Sequence, residues 1–144
     1  MPCIIIQPPG GFLPSGMILS SAFTITSSAS TVTGWTADTA GYPGSVVLSN
    51  GLLAQGSKAG ATVSASCLVA NSYFISGNVT VYLQVNEVTV ATSAATPIPA
   101  SGNATIPVSG TADLTIGDVV TVQASGGSGS NIKMQPTSSY VRIT

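Results

Sequence analysis

Between Gly77 and Ser93 the chain reads GNVTVYLQVNEVTVATS. Val79, Val81, Leu83 and Val85 alternate with Thr80, Tyr82 and Gln84. In an extended chain successive side chains point to opposite faces, so this alternation predicts a strand with one face buried. Asn86-Glu87 interrupts the pattern and Val88-Thr89-Val90 resumes it, which predicts a tight hairpin. The same period recurs in Phe23 to Thr26, Thr31 to Thr33, Ala61 to Val69, Asn103 to Val108, Thr111 to Ile116, Val119 to Gln123 and Ser138 to Ile143. Turn residues punctuate these runs: Tyr42-Pro43-Gly44, Asn50-Gly51 between Ser45–Leu48 and Leu52–Gln55, Ser109-Gly110, Gly117-Asp118 and the Gly/Ser stretch from Ser125 to Ser130. Ala94 to Gly102, with Pro97 and Pro99, is expected as a connecting loop. Nine or ten short strands and no helix predict an all-β, two-sheet antiparallel sandwich over residues 21–144.

Residues 1–20 break the pattern. Ile4-Ile5-Ile6, Phe12-Leu13 and Met17-Ile18-Leu19 are interleaved with Pro2, Pro8, Pro9 and Pro14. Prolines at this density exclude a helix and favour extended chain. Exposed, the apolar clusters promote aggregation, so they are expected to bury against their own domain, a neighbouring copy or a different protein. We read the segment as an extended, Pro-rich anchoring arm, with Ile4, Ile5, Ile6, Phe12, Leu13 and Ile18 as its contact residues. It carries no basic start of a secretory signal, and no run approaches the roughly 18 apolar residues of a transmembrane helix. Assembly in a cytoplasm without membrane insertion is the expectation.

Composition narrows the partners. Charged residues are 5% of 144, against about 25% in ordinary soluble domains. Lys58, Lys133 and Arg142 are the cations, Asp38, Glu87, Asp113 and Asp118 the anions, and the net charge is −1. Three cations neutralise too few phosphates for nucleic-acid binding. So neutral a surface gives little repulsion between copies and points to surface covered in an assembly. Cys3 and Cys67 are expected as free thiols, Cys67 on the buried face of its strand.

The same inventory removes most chemistry. Without histidine there is no Ser-His-Asp or Cys-His system and no usual zinc site. Asp113 and Asp118 lie close in sequence, but Asp118 follows Gly117 in a turn, where aspartate is favoured for local reasons. Gly126-Gly127-Ser128-Gly129 lacks the lysine and helix of a phosphate loop. No catalytic residue, cofactor or metal ligand is assigned, and the chain is not expected to be an enzyme. Trp35 is expected in the core. Tyr42, in a turn, and Tyr73, beside Phe74, are the candidates for surface recognition.

The hairpin VTVYLQVNEVTVATS, then SGTADLTIGDVVTVQAS, then the closing TSSYVRIT resemble the jelly roll of the tumour-necrosis-factor and complement-head superfamily over residues 60–144. The segment TVTGWTADTAGYPGSVVLSNGLLAQGSKAGATVSAS is similar in style to small virion proteins of tailed actinobacterial phages. The resemblance implies a homotrimer held to other virion structural proteins by the N-terminal arm. It favours a minor tail protein, with a head decoration (capsid cement) protein as the alternative. A module binding a host-surface glycan or protein through its loops is a second alternative.

Overall fold

The computed structural model describes residues 11–127 and 131–144. Ile4, Ile5, Ile6 and Cys3 lie outside the described residues. Among the described residues fourteen strands follow one another: β1 (Ser15–Leu19), β2 (Phe23–Thr24), β3 (Ser30–Thr31), β4 (Trp35–Ala37), β5 (Val47–Leu48), β6 (Gly51–Leu53), β7 (Lys58–Asn71), β8 (Gly77–Val85), β9 (Val88–Thr92), β10 (Thr96–Ile98), β11 (Asn103–Leu114), β12 (Val119–Ser125), β13 (Ile132–Met134) and β14 (Tyr140–Ile143). They form two antiparallel sheets, as the alternation predicts.

In the first sheet, β11 runs along one edge of β7, while β13 and β14 lie end to end along the other. The sheet continues from β14 to β1 and β4, and from β13 to β2. In the second, β8 and β12 form the centre. β9 and β10 pair with β8, β3 and β6 pair with β12, and β5 closes on β6. Val63, Cys67, Val69, Val141, Ile143, Met17 and Leu19 face Val79, Val81, Leu83, Val120, Val122 and Leu52 in one continuous core. Each such side chain contributes about 1.5–3 kcal/mol on burial. Trp35 is buried as expected, and its indole N–H donates to the Val32 carbonyl at 3.0 Å.

The hairpin after β8 turns at Asn86-Glu87, both at positive φ (48° and 70°). That geometry matches the twist of the flanking strands even without glycine. The earlier hairpin turns at Ser49-Asn50 (φ 50° and 64°), one residue before the expected Asn50-Gly51. Gly51 is instead the first residue of β6, packed so closely on Val119 that no Cβ fits. Ser109-Gly110 is no break either. β11 is continuous through it, with Ser109 opposite Ser64 and Gly110 opposite Val63. Part of the expected 94–102 loop is the edge strand β10. Pro97 is tolerated there because β10 pairs only with β8.

The largest difference concerns the arm. Ser15–Leu19 is an internal strand, paired with β14 on one side and β4 on the other. Met17 and Leu19 are fully buried. The sandwich therefore begins at Ser15 and not at residue 21, and Ile18 belongs to the sheet, opposite Tyr140 and Thr36. The chain extends the sheet here because Met17 and Leu19 alternate correctly. The flanking Pro14 lies just outside the strand, where its missing N–H costs no ladder bond.

Candidate functional site

The two ends of the sandwich differ. At the Lys58 end of β7, Leu13 N–H bonds the Gln55 carbonyl, and the Lys58 ammonium sits 5.0 Å above the Phe12 ring. Gly11 and Phe12, the first described residues, lie at this end beside Gly56. Leu13, Val88 and Ile116 are exposed there. The acidic side chains here serve the backbone. Asp113 accepts from Gly60 N–H at 2.7 Å, and Asp118 accepts from Thr115 N–H at 2.8 Å and from the Asn86 amide at 3.0 Å. Asp118 closes its own turn, as expected from its sequence position, whereas Asp113 reaches across from β11 to the backbone of β7.

At the Asn71 end, the loop between β7 and β8 carries Tyr73, Phe74 and Ile75. The Tyr73 and Phe74 rings meet at a tilt of 48° with centroids 4.3 Å apart, and Phe74 is 73% exposed. Asn71 builds this loop. Its buried amide donates to the Ile75 carbonyl at 2.8 Å, and its Oδ1 accepts from Tyr73 N–H at 2.8 Å. Tyr73 O accepts from Ser101 N–H at 2.8 Å. The aromatic pair is thus presented on a pinned loop. Nothing in the sequence marked Asn71 beyond its place at the end of an alternating run.

The third feature is the outward face of the first sheet. Alternation sends Thr62, Ser64, Ser66 and Leu68 of β7 outward while Val63, Ala65 and Cys67 go to the core. Registered neighbours extend this into two rows across the sheet. One row is Pro107, Ser66, Tyr140, Ile18 and Thr36; the other is Ser109, Ser64, Arg142 and Gly16. Arg142 is the one charge in these rows. Its guanidinium lies 3.9 Å from the centre of the Tyr140 ring and 5.6 Å from that of Tyr42. Two aromatic faces therefore hold one cation.

Tyr42 is less free than a turn residue suggests. Its N–H donates to the Asp38 carbonyl at 2.8 Å, and the Ser45 hydroxyl donates to the Tyr42 carbonyl at 2.6 Å. The same hydroxyl accepts from Gly16 N–H at 3.0 Å, which fastens the loop to β1. The ring lies over Gly16, where a Cβ would come within 2.5 Å of it. Tyr42 is half-buried and joins the sheet face, whereas Tyr73 lies at the Asn71 end; the structure does not bring these two together. Phe12 and Leu13 stand at the Lys58 end, away from Tyr73, but Leu13 lines one pocket with Pro14, Gly41, Tyr42 and Pro43.

Along β11, β7 and β14 the face is hollowed by an open pocket of about 420 Å³ lined by Ser64, Ser66, Pro107, Ser109, Tyr140 and Arg142. Cys67, on the opposite side of β7, is enclosed in the core, and burial pushes its thiol up to about 12. It is no nucleophile at neutral pH. Among the described residues no three His, Cys, Asp or Glu side chains gather into a metal site.

No family model matches the chain, and no curated protein matches it in sequence. Solved structures do match in fold. Eiger TNF from S. frugiperda is 10% identical, with a TM-score of 0.59 over 92% of this chain and 90% of that one. Murine APRIL at pH 5.0 is 11% identical, with a TM-score of 0.61 over 92% and 97%. Murine APRIL at pH 8.0 is 12% identical, with a TM-score of 0.60 over the same shares. At these identities the likeness is one of fold: the chain is a tumour-necrosis-factor-like jelly roll.

Proposed function

We propose that the chain is a structural virion protein of a tailed bacteriophage, a homotrimeric jelly roll attached to its particle by the N-terminal arm, at the tail in preference to the head. The observation that carries this reading is the polarity of the sandwich. Gly11 and Phe12, to which the apolar, Pro-rich segment is joined in sequence, lie at the Lys58 end with exposed Leu13, Val88 and Ile116, and the pinned aromatic loop stands at the other. A subunit anchored at one end leaves the opposite loops pointing outward. The TNF-like fold, the near-neutral surface and the outward face of the first sheet support the trimer. That face is rich in hydroxyls and small or apolar side chains, with one charge in its two central rows. Ser, Thr, Pro and Tyr can be buried against a second copy at little desolvation cost when their hydroxyls find partners. The resemblance of residues 31–66 to small phage virion proteins supports the particle.

Removing residues 1–10 tests the attachment. The shortened chain should fold and keep its oligomeric state but fail to join particles. Incorporation at the wild-type level contradicts the arm's role.

A second reading, recognition of a host-surface glycan or protein, is favoured by the exposure of Phe74 on its fixed loop. It is compatible with the first. Phe74→Ala should then reduce adsorption of otherwise complete particles at least about tenfold, since a buried aromatic anchor is commonly worth 1.4 kcal/mol or more. Unchanged adsorption contradicts it.

A further inference from the structure

We infer that the Arg142 pocket is an oxyanion site, taking phosphate, sulfate or a free carboxylate from solution, and that assembly through the first sheet takes this anion up. The inference rests on the trimer reading above. A guanidinium stays protonated at all ordinary pH, so Arg142 cannot shed its charge when the face around it is covered. The two tyrosine rings compensate part of that charge. Among the described residues the rest has no counterpart. Arg142 Nε is enclosed and has no hydrogen-bond acceptor. No carboxylate lines the pocket. Asp38, in the strand-end loop next to Gly16, accepts from Gly41 N–H through its Oδ1 at 3.0 Å, while Asp113 and Asp118 are engaged at the Lys58 end. Glu87 lies on the hairpin turn, lining a different pocket with Asn86 and Val119.

What the pocket does offer is a hydroxyl wall. Ser64 and Ser109 face each other across β7 and β11, Ser64 is opposite Arg142, and Ser66 is opposite Tyr140. A fixed guanidinium beside several hydroxyl donors is the donor set that recognises a planar or tetrahedral oxyanion. Burying the cation unpaired opposes assembly, because a charge removed from water without a partner is strongly disfavoured. An anion bound at Arg142 removes that opposition. Binding to the assembled form then stabilises it by mass action.

The test is the oligomeric state of the full chain, followed by sedimentation as sulfate replaces chloride at constant ionic strength. The association constant of the wild type should rise about tenfold or more. Arg142→Met, which keeps an apolar stem and removes the charge, should assemble with no sulfate dependence. Wild-type assembly that ignores sulfate overturns the inference, including the case where Arg142→Met weakens it, which would place a facing copy's carboxylate in the pocket. Should the wild type stay monomeric in every buffer, the trimer reading fails. Calorimetric titration of sulfate into that monomer then decides the pocket: binding by wild type and not by Arg142→Met retains the oxyanion site, and no binding by either removes it.

Discussion

At the scale of single residues, several side chains have their roles fixed by what lies behind them. Cys67 is the clearest. Its strand alternation places it in the core, and burial raises its thiol from 9.0 to about 12. The folded state therefore holds the thiol proton more tightly than the unfolded chain does. The resulting stability is complete below pH 9 and is lost as pH rises from 9 towards 12. Across that window Cys67 should contribute a slope of up to about 1.4 kcal/mol per pH unit. Denaturant unfolding of wild type and Cys67→Ala at a series of alkaline pH values should show the wild type losing stability more steeply; parallel curves would contradict the buried thiol. Gly16 acts differently. Its missing side chain lets Tyr42 lie on the sheet and reach Arg142. Sequence reasoning named Tyr42 and Arg142 separately. Their meeting depends on β1 running beside β14, a tertiary fact that no local pattern carries.

At the scale of elements, the strands that could be read from sequence are those whose two faces meet different surroundings. β7, β8, β12 and β14 alternate because one face is core and the other is not. β1 escaped because Met17-Ile18-Leu19 is apolar on both faces and sits in Pro-rich text: Ile18 lies on the outer face beside Tyr140, so no polar residue marks that side. β10 escaped because Pro97 reads as a strand breaker, which holds for central strands and not for edges. β13 is three residues long, too short to show a period. The placement of β1 gives a direct prediction. Leu19→Ala removes a fully buried side chain and should destabilise the fold by about 2–5 kcal/mol in denaturant unfolding. An arm residue outside the sandwich would cost far less, so a change below about 0.5 kcal/mol contradicts the strand.

At the scale of the whole molecule, the fold class and the lack of charge were both legible, since each is a property of composition and period summed over the chain. The polarity of the sandwich was not. It follows from the topology, which carries Gly11 to Leu13 to the end where β7 begins and the Tyr73-Phe74 loop to the end where β7 stops. The proposed attachment rests on that polarity, and where the subunit sits on a particle is its most direct consequence. An antibody raised against the purified protein, applied to intact particles and viewed by electron microscopy, makes that measurement. The account predicts label confined to the tail; label spread over the head would instead assign the alternative role of a decoration protein. Particles that carry no label at all would contradict a virion protein.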